Sequence, residues 1–438
     1  MLTAKKQKWA QLSVITLSYV LTMTLIFCGL YALIRNNGTE DSSPLQFSGH
    51  SDNNGILSGI IPPQSTQKKM KAIWVATVSN INFPSKRGLG EEALKAELDD
   101  IVSTAESLGA NAVFFQVRPC GDALYESSIF PYSHYVSGER GVAPDGGLDI
   151  LEYLIKTAHA KSIEIHAWVN PVRLLPGSPS DPARMDELCE GESAALHPEW
   201  AILYADGRMY YDIGIPAVRD LIAEGVYEIV SKYDVDGVVF DDYFYPYPVR
   251  GEDGAVAVFN DLSTYATYGG NRTTADFRRE CVRALVRGCS IAIKRADREC
   301  KFGISPFGVW KNAESDGGSG TAGLESYYDI YCDSLSFATE GWVDYIAPQL
   351  YWEIGNGACD YYTLAYWWSK RLSETKCAFV PCLAAYRYEE GAYSDGEITR
   401  QIKYASTLGG FDGVALYGYS ALTDPELSVG REIRELWK

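Results

Sequence analysis

Eight short apolar runs alternate with amphipathic stretches from Lys71 to the carboxyl terminus. The runs are Ala72–Val78, Ala112–Val117, Glu164–Val169, Gly237–Phe240, Phe302–Phe307, Tyr345–Tyr351, Ala378–Ala384 and Gly413–Tyr417. Apolar runs of this length read as strands buried on both faces, as in parallel sheets. Between them lie helical stretches at Glu91–Leu108, Leu148–Ala160, Ala217–Tyr233, Ala275–Arg295, Ser326–Glu340, Tyr361–Ser373 and Ile398–Leu408. This alternation predicts an α/β fold, and a count of eight predicts a (β/α)8 TIM barrel. A doubly wound open sheet is the alternative. It is disfavoured because no glycine-rich phosphate loop follows the first run, where Thr77–Pro84 is irregular. The glycine-rich stretch Asp316–Gly320 lacks a following Lys-Ser or Lys-Thr and reads as a surface loop.

The amino terminus carries a separate signal. Lys5, Lys6 and Lys8 precede an uncharged stretch, Trp9–Ile34, followed by Arg35. Its length suffices to cross a bilayer, which needs about 20 residues. Residues 1–8 then read as a cytoplasmic basic tail and 9–34 as a transmembrane signal anchor. Residues 35–67, rich in Ser, Asn, Gly, Pro and Gln, read as a flexible stalk before a catalytic domain over 68–438. The expected location is the cell membrane, with the domain outside the cytoplasm, or secretion if the segment is cleaved.

Composition narrows the partners. A formal net charge of −18 argues against nucleic acid, whose phosphates need clustered Lys and Arg. Thirty Tyr among 13% aromatic residues suit a surface on which sugar rings stack. The ten Cys show no CxxC spacing, and Cys28 in the apolar segment leaves nine elsewhere, so complete internal pairing is impossible. Buried thiols are the expectation for most, and Cys289 with Cys300 is a candidate pair. The five His form no His-x-His or His-Glu-x-x-His spacing, and no Gly-x-Ser-x-Gly elbow occurs. No cofactor and no metal are expected, and deacetylase and serine esterase readings are disfavoured.

In a barrel of this kind the site is built at the carboxyl ends of the strands. Those ends are polar and aromatic here. The second run ends in Gln116, Arg118 and Pro119, followed by Asp122. The third carries His166, Trp168 and Asn170, with Arg173 after it. The fourth ends in Asp241, Asp242 and Tyr243, and the fifth in Ser305 and Phe307. The sixth gives Gln349, Tyr351, Trp352 and Glu353, and the eighth Tyr417. An unpaired carboxylate at the end of a buried strand is costly, so Asp241 and Asp242 mark a site more readily than a fold requirement. Alternation places Val239, Asp241 and Tyr243 on one face and Asp242 on the other. Asp241 is the expected catalytic carboxylate, with Asp122, Asp242 or Glu353 as partner. Arg118, Asn170, Arg173 and Gln349 are expected to hold sugar hydroxyls or acetamido groups, and Tyr243, Trp352 and Tyr417 to stack. Several have a plainer alternative. Asp241 and Asp242 would cap a helix, His166 would be a core histidine, Arg118 and Arg173 ion-pair partners, Trp352 core, and Glu353 a solvated loop residue.

Five segments carry a family resemblance: Gln116–Tyr125, His166–Pro171, Asp234–Pro246, Phe302–Gly308 and Asp344–Trp352. Together they resemble the glycosyl-hydrolase-like 10 family, over about Lys71 to the carboxyl terminus. The resemblance implies a (β/α)8 barrel and an envelope glycoside hydrolase acting on peptidoglycan glycan strands stripped of stem peptides. It also places the family's Asp-Asp-Tyr motif on Asp241, Asp242 and Tyr243, and its Gly-Asp-Ala-Leu-Tyr motif on Asp122. Cys281 is a departure, standing where Asn is expected. The fourth run echoes a chitinase-type pattern as well, but Tyr243 stands in place of that family's acid Glu. Glycoside hydrolysis by a carboxylate pair is thus the expectation. A non-catalytic glycan-binding barrel tethering membrane to wall is the rival from another class.

Overall fold

The computed structural model describes residues 68–241, 244–251 and 254–438. The expected anchor and stalk, and Asp242 and Tyr243, lie outside the described residues. Among those described, no helix is long and apolar enough to cross a membrane.

All eight apolar runs form strands of one parallel sheet. They are β1 (Met70–Val75), β2 (Ala112–Arg118) and β3 (Glu164–Val169). A small antiparallel insert follows, with β4 (Arg173–Leu175), β5 (Ala201–Leu203) and β6 (Met209–Tyr211). The main sheet resumes with β7 (Gly237–Phe240), β8 (Lys301–Ile304) and β9 (Tyr345–Ile346). It ends with β10 (Ala378–Phe379), β11 (Cys382–Ala384) and β12 (Gly413–Tyr417). The nine-stranded order is β10-β9-β8-β7-β3-β2-β1-β12-β11. Its two end strands are halves of one apolar run, parted by Val380 and Pro381. β10 pairs with β9 and β11 with β12, so the sheet curls until its two end strands are only two residues apart in the chain. Pro381 has no N–H for a ladder, which explains the interruption there. Its carbonyl still accepts from Ala415 N.

Alternation along the strands sorts the core into two clusters. Ile73, Val113, Phe115, Ile165, Val238, Phe302 and Leu416 pack with the helices. Trp74, Phe114, Trp168, Val239, Tyr345 and Ala415 form a second cluster inside the curl. Each fully buried Phe or Leu contributes about 1.5–3 kcal/mol. The helices follow their stripes. Glu91–Leu108 buries Leu94, Leu98, Ile101, Val102, Ala105 and Leu108, and stops at Gly109 in the left-handed conformation that glycine tolerates. The stretch expected as one helix at Ser326–Glu340 is two, Ser326–Asp329 and Ser334–Thr339. The nine described cysteines form no disulfide; Cys289 and Cys300 are both buried thiols.

Candidate active site

The carboxyl ends of the parallel strands surround a cleft of about 390 Å³. Asp241 lies at its floor, one residue past β7. Both of its carboxylate oxygens accept from side-chain amides. Asn170 Nδ2 donates to Oδ2 at 3.2 Å, and Gln349 Nε2 donates to Oδ1 at 3.1 Å. Gln349 Nε2 also faces the Ser305 carbonyl at 3.4 Å, which settles which end of that amide points at Asp241. Asn170 in turn accepts from Gln116 Nε2 at 2.6 Å.

Aromatic rings wall the cleft. Trp74 and Trp168 meet edge to face at 4.9 Å. Tyr247 and Phe307 lie 4.8 Å apart on another side. Tyr351 stacks on Tyr417 at 6.1 Å with an interplanar angle of 12°, and Tyr386 stands edge-on to both at 5.9 Å. Burial drives the Tyr351 phenol well above its ordinary pKa, with Cys382 adding to it, so this hydroxyl stays protonated. Trp352 completes the wall, and its approach depends on Gly308, where a Cβ would sit 2.9 Å from the Trp352 ring. Among the described residues lining the cleft, Arg387 is the cation; its Nε donates to the Tyr351 carbonyl and its Nη1 to Glu390. A second hollow of about 270 Å³, with Ile81, Asn82 and Ser420, shares Tyr386 and Tyr417 with the cleft.

The structure brings Asp241, Trp168, Ser305, Gln349, Tyr351, Trp352 and Tyr417 together on this cleft. Gln116 and Asn170 are buried behind it. Other expected site residues lie elsewhere. His166 sits inside the curl, one layer towards the amino ends of the strands. Its ring bonds Tyr345 Oη at 2.8 Å and Glu164 at 3.2 Å. It stands over Gly237, where any Cβ would meet the imidazole at 2.4 Å, so this is a packed core layer. Arg118 leaves the inner face because the β2–β3 register shifts between Gln116 and Arg118, a bulge that re-aims the side chain. Its guanidinium lies 3.5 Å from the Phe130 ring centroid instead. Arg173 belongs to β4 and donates to the Pro119 carbonyl. Asp122 is fully buried, bonded by Cys120 N at 3.1 Å and 3.5 Å from Arg140, which also binds Glu192. The cause is the insert: Gly121 N bonds Leu174 O of β4 and draws this segment away from the cleft. Glu353 accepts from Asn356 Nδ2 and is not among the lining residues.

Trp74, Tyr247, Leu324, Tyr386 and Arg387 also line the cleft, and the strand-end motifs do not single them out. Tyr386 and Arg387 follow the end of β11, so the rule that strand ends build the site reaches them. Trp74 shares the inner face with Ala72 and Ala76, which the period of two would show.

The family model described as Glycosyl hydrolase-like 10 matches residues 69–397. The chain belongs to this family. Its curated relatives are named glycosyl hydrolases, which supports a glycoside hydrolase. A curated relative, Glycosyl hydrolase YngK of Bacillus subtilis (strain 168), is 39% identical over 74% of this chain. The match spans 62% of the length of that relative. Glycosyl hydrolase DigH of Escherichia coli (strain K12) is 35% identical over 76% of this chain and 77% of its own. Among solved structures, the PgaB (BpsB) glycoside hydrolase domain from Bordetella bronchiseptica superposes with a TM-score of 0.52. That match covers 85% of this chain and 99% of the other at 14% identity, and supports the curled α/β fold of a glycosyl hydrolase-like 10 protein.

Proposed function

We propose that the chain hydrolyses glycosidic bonds of a cell-envelope polysaccharide, peptide-free peptidoglycan glycan strands in particular. The observation that carries this is Asp241, held by two amide donors at the floor of an aromatic cleft. Aromatic faces suit sugar rings, and a carboxylate fixed among them serves as base, nucleophile or stabiliser of positive charge at the anomeric carbon. We read the curled sheet as a (β/α)8 barrel with the site at its carboxyl face.

Acid–base hydrolysis needs a second, protonated group at the leaving oxygen. Asp242 is our candidate for it. The strand ends at Phe240, so period-two alternation no longer dictates where residue 242 faces. The hollow beside Tyr386 and Tyr417 extends the cleft, which fits a polymer running past the reacting bond. Arg387 offers a positive charge in a chain of net charge −18. A peptide-free muramic residue presents a free lactyl carboxylate that such a charge would meet. The apolar segment over 9–34 would hold the domain at the outer side of the membrane.

The test is incubation of the full chain with peptide-free glycan strands and sizing of the products. Shorter chains with new reducing ends support hydrolysis. Tight binding with unchanged chain length would favour the tethering role instead, and released acetate a deacetylase.

A further inference from the structure

We infer that Gln116 is a positioning residue whose amide determines which atom Asn170 turns towards Asp241. The inference rests on the reading that Asp241 is the reacting carboxylate. Thr77 N donates to Gln116 Oε1 at 2.7 Å, and Val78 N donates to the same atom at 2.8 Å. Backbone N–H groups only donate, so the oxygen of this amide must lie on their side. The NH2 group is then committed to the opposite side, where it donates to Asn170 Oδ1 at 2.6 Å. Asn170 therefore presents its own NH2 to Asp241 Oδ2. Three polar groups in series run donor to acceptor, from the loop after β1 to the floor of the cleft.

The order is enforced by burial. Gln116 is 1% exposed and Asn170 0% exposed, so solvent does not replace a lost partner. An Asn170 turned the other way would set its carbonyl oxygen against a carboxylate, acceptor against acceptor. Gln116 does not line the cleft. Its influence on Asp241 passes through Asn170 and through the direction of one hydrogen-bond chain.

Gln116→Glu tests this because it reverses one end of the chain and keeps its shape. When ionised, the introduced carboxylate still accepts from Thr77 N and Val78 N but has no hydrogen for Asn170. When protonated, it has one. The hydrogen-bonding side chains that meet residue 116 are Thr77 on the β1 side and Asn170 on the β3 side, and neither titrates. Asp241, the charge next along the chain, is present in every protein compared, and Gln116→Met, which disturbs Asn170 without adding a titrating group, controls for its response. In the full chain on glycan strands, Gln116→Glu should lose on the order of 10²-fold in kcat at neutral pH, with KM changed by less than about threefold. The ratio should rise as pH falls through the carboxyl range. Gln116→Met, of similar length and without a donor, should lose comparable kcat with a ratio flat in pH. Wild-type kcat in Gln116→Met, or a Gln116→Glu ratio that does not vary with pH, overturns the proposal. Retained turnover by Asp241→Asn would instead overturn the reading of Asp241 beneath it.

Discussion

Gln349 and Asp241 meet across the floor of the cleft, with Gln349 Nε2 donating to Asp241 Oδ1 at 3.1 Å. The contact joins the segment after β9 to the residue after β7, with β8 between them in the sheet order. The Phe307–Gln349–Cys382 bridges hold that segment in register beyond the last full ladder. Replacing Gln349 with Leu removes one of the two amide donors and leaves a similar volume. A preorganised donor at a site of this kind is worth on the order of 10²–10³-fold in kcat. Gln349→Leu should therefore lose at least about tenfold in kcat on glycan strands, while its thermal midpoint stays within a few degrees. Steady-state kinetics beside a thermal melt checks both halves.

Asp241→Asn keeps shape and removes charge. Because Asp241 is only partly buried and Asn170 and Gln349 meet it as neutral amides, the fold should tolerate the change. Product sizing should show no chain shortening. A folded variant that still shortens glycan strands would remove Asp241 from the chemistry.

The cleft should bind through its tyrosines. Tyr386 borders both the main cleft and the second hollow, and it meets Tyr351 and Tyr417 edge-on. Loss of one stacking ring of this kind costs about 0.5–1.5 kcal/mol of binding, by analogy with aromatic contacts in general. Tyr386→Ala should raise KM about fivefold or more on long strands and less on disaccharides, which do not reach the second hollow. Equal effects on both lengths would confine the substrate to the main cleft.

The fold is legible in the sequence because burial on both faces leaves continuous apolar runs. Glu164–Val169, Gly237–Phe240 and Gly413–Tyr417 match strand bounds residue for residue. Ala378–Ala384 reads as one strand, and Pro381 divides it because a prolyl nitrogen cannot donate. The insert Arg173–Tyr211 leaves no such trace, since strands of three residues carry too little pattern to register. That silence matters at the site. The insert draws Asp122 and Arg173 away from the cleft, and the bulge after Gln116 turns Arg118 outward. Local sequence carries no sign of either. Asp241 and Tyr417 are found because one directly follows a strand and the other ends one, and Gln349 because it lies in the apolar run that β9 opens. His166 shares the inner face as expected, yet depth along the strand, which alternation does not encode, places it below the cleft.

Stability should depend on a buried pair outside the cleft. Arg278 grips Asp261 with Nε at 2.8 Å and Nη2 at 2.6 Å, and the carboxylate is fully buried. Breaking a buried pair by removing one partner typically costs about 3–5 kcal/mol, because the remaining charge is stranded. Asp261→Ala should therefore lower the denaturation midpoint sharply. The double variant Asp261→Leu with Arg278→Met should recover much of the loss. Urea melts of the two variants give the comparison, and an unchanged midpoint in the single variant would show that the pair contributes little.

The amino ends of the strands should set the acid limit of stability. Glu164 accepts from Lys301 Nζ at 3.0 Å and lies 3.2 Å from His166 Nε2. Partial burial pushes the Glu164 carboxyl up, but its hydrogen bonds and the charges of His166 and Lys301 outweigh this and hold it at about 2. A carboxyl held below its unfolded value near 4.5 binds its proton more readily in the unfolded chain. Its contribution is complete above about 4.5 and disappears as pH falls towards about 2. His166 acts in the same direction at higher pH. Burial lowers its pKa below the ordinary 6.5, so protonation favours the unfolded chain as pH drops beneath that value. Urea midpoints measured from about pH 7.5 to about pH 3 should thus decline in two stages. Glu164→Gln should lower the midpoint at neutral pH and flatten the decline below pH 4.5, while leaving the stage that begins near pH 6.5. A variant whose profile below 4.5 runs parallel to wild type would show that another carboxylate governs the acid limb.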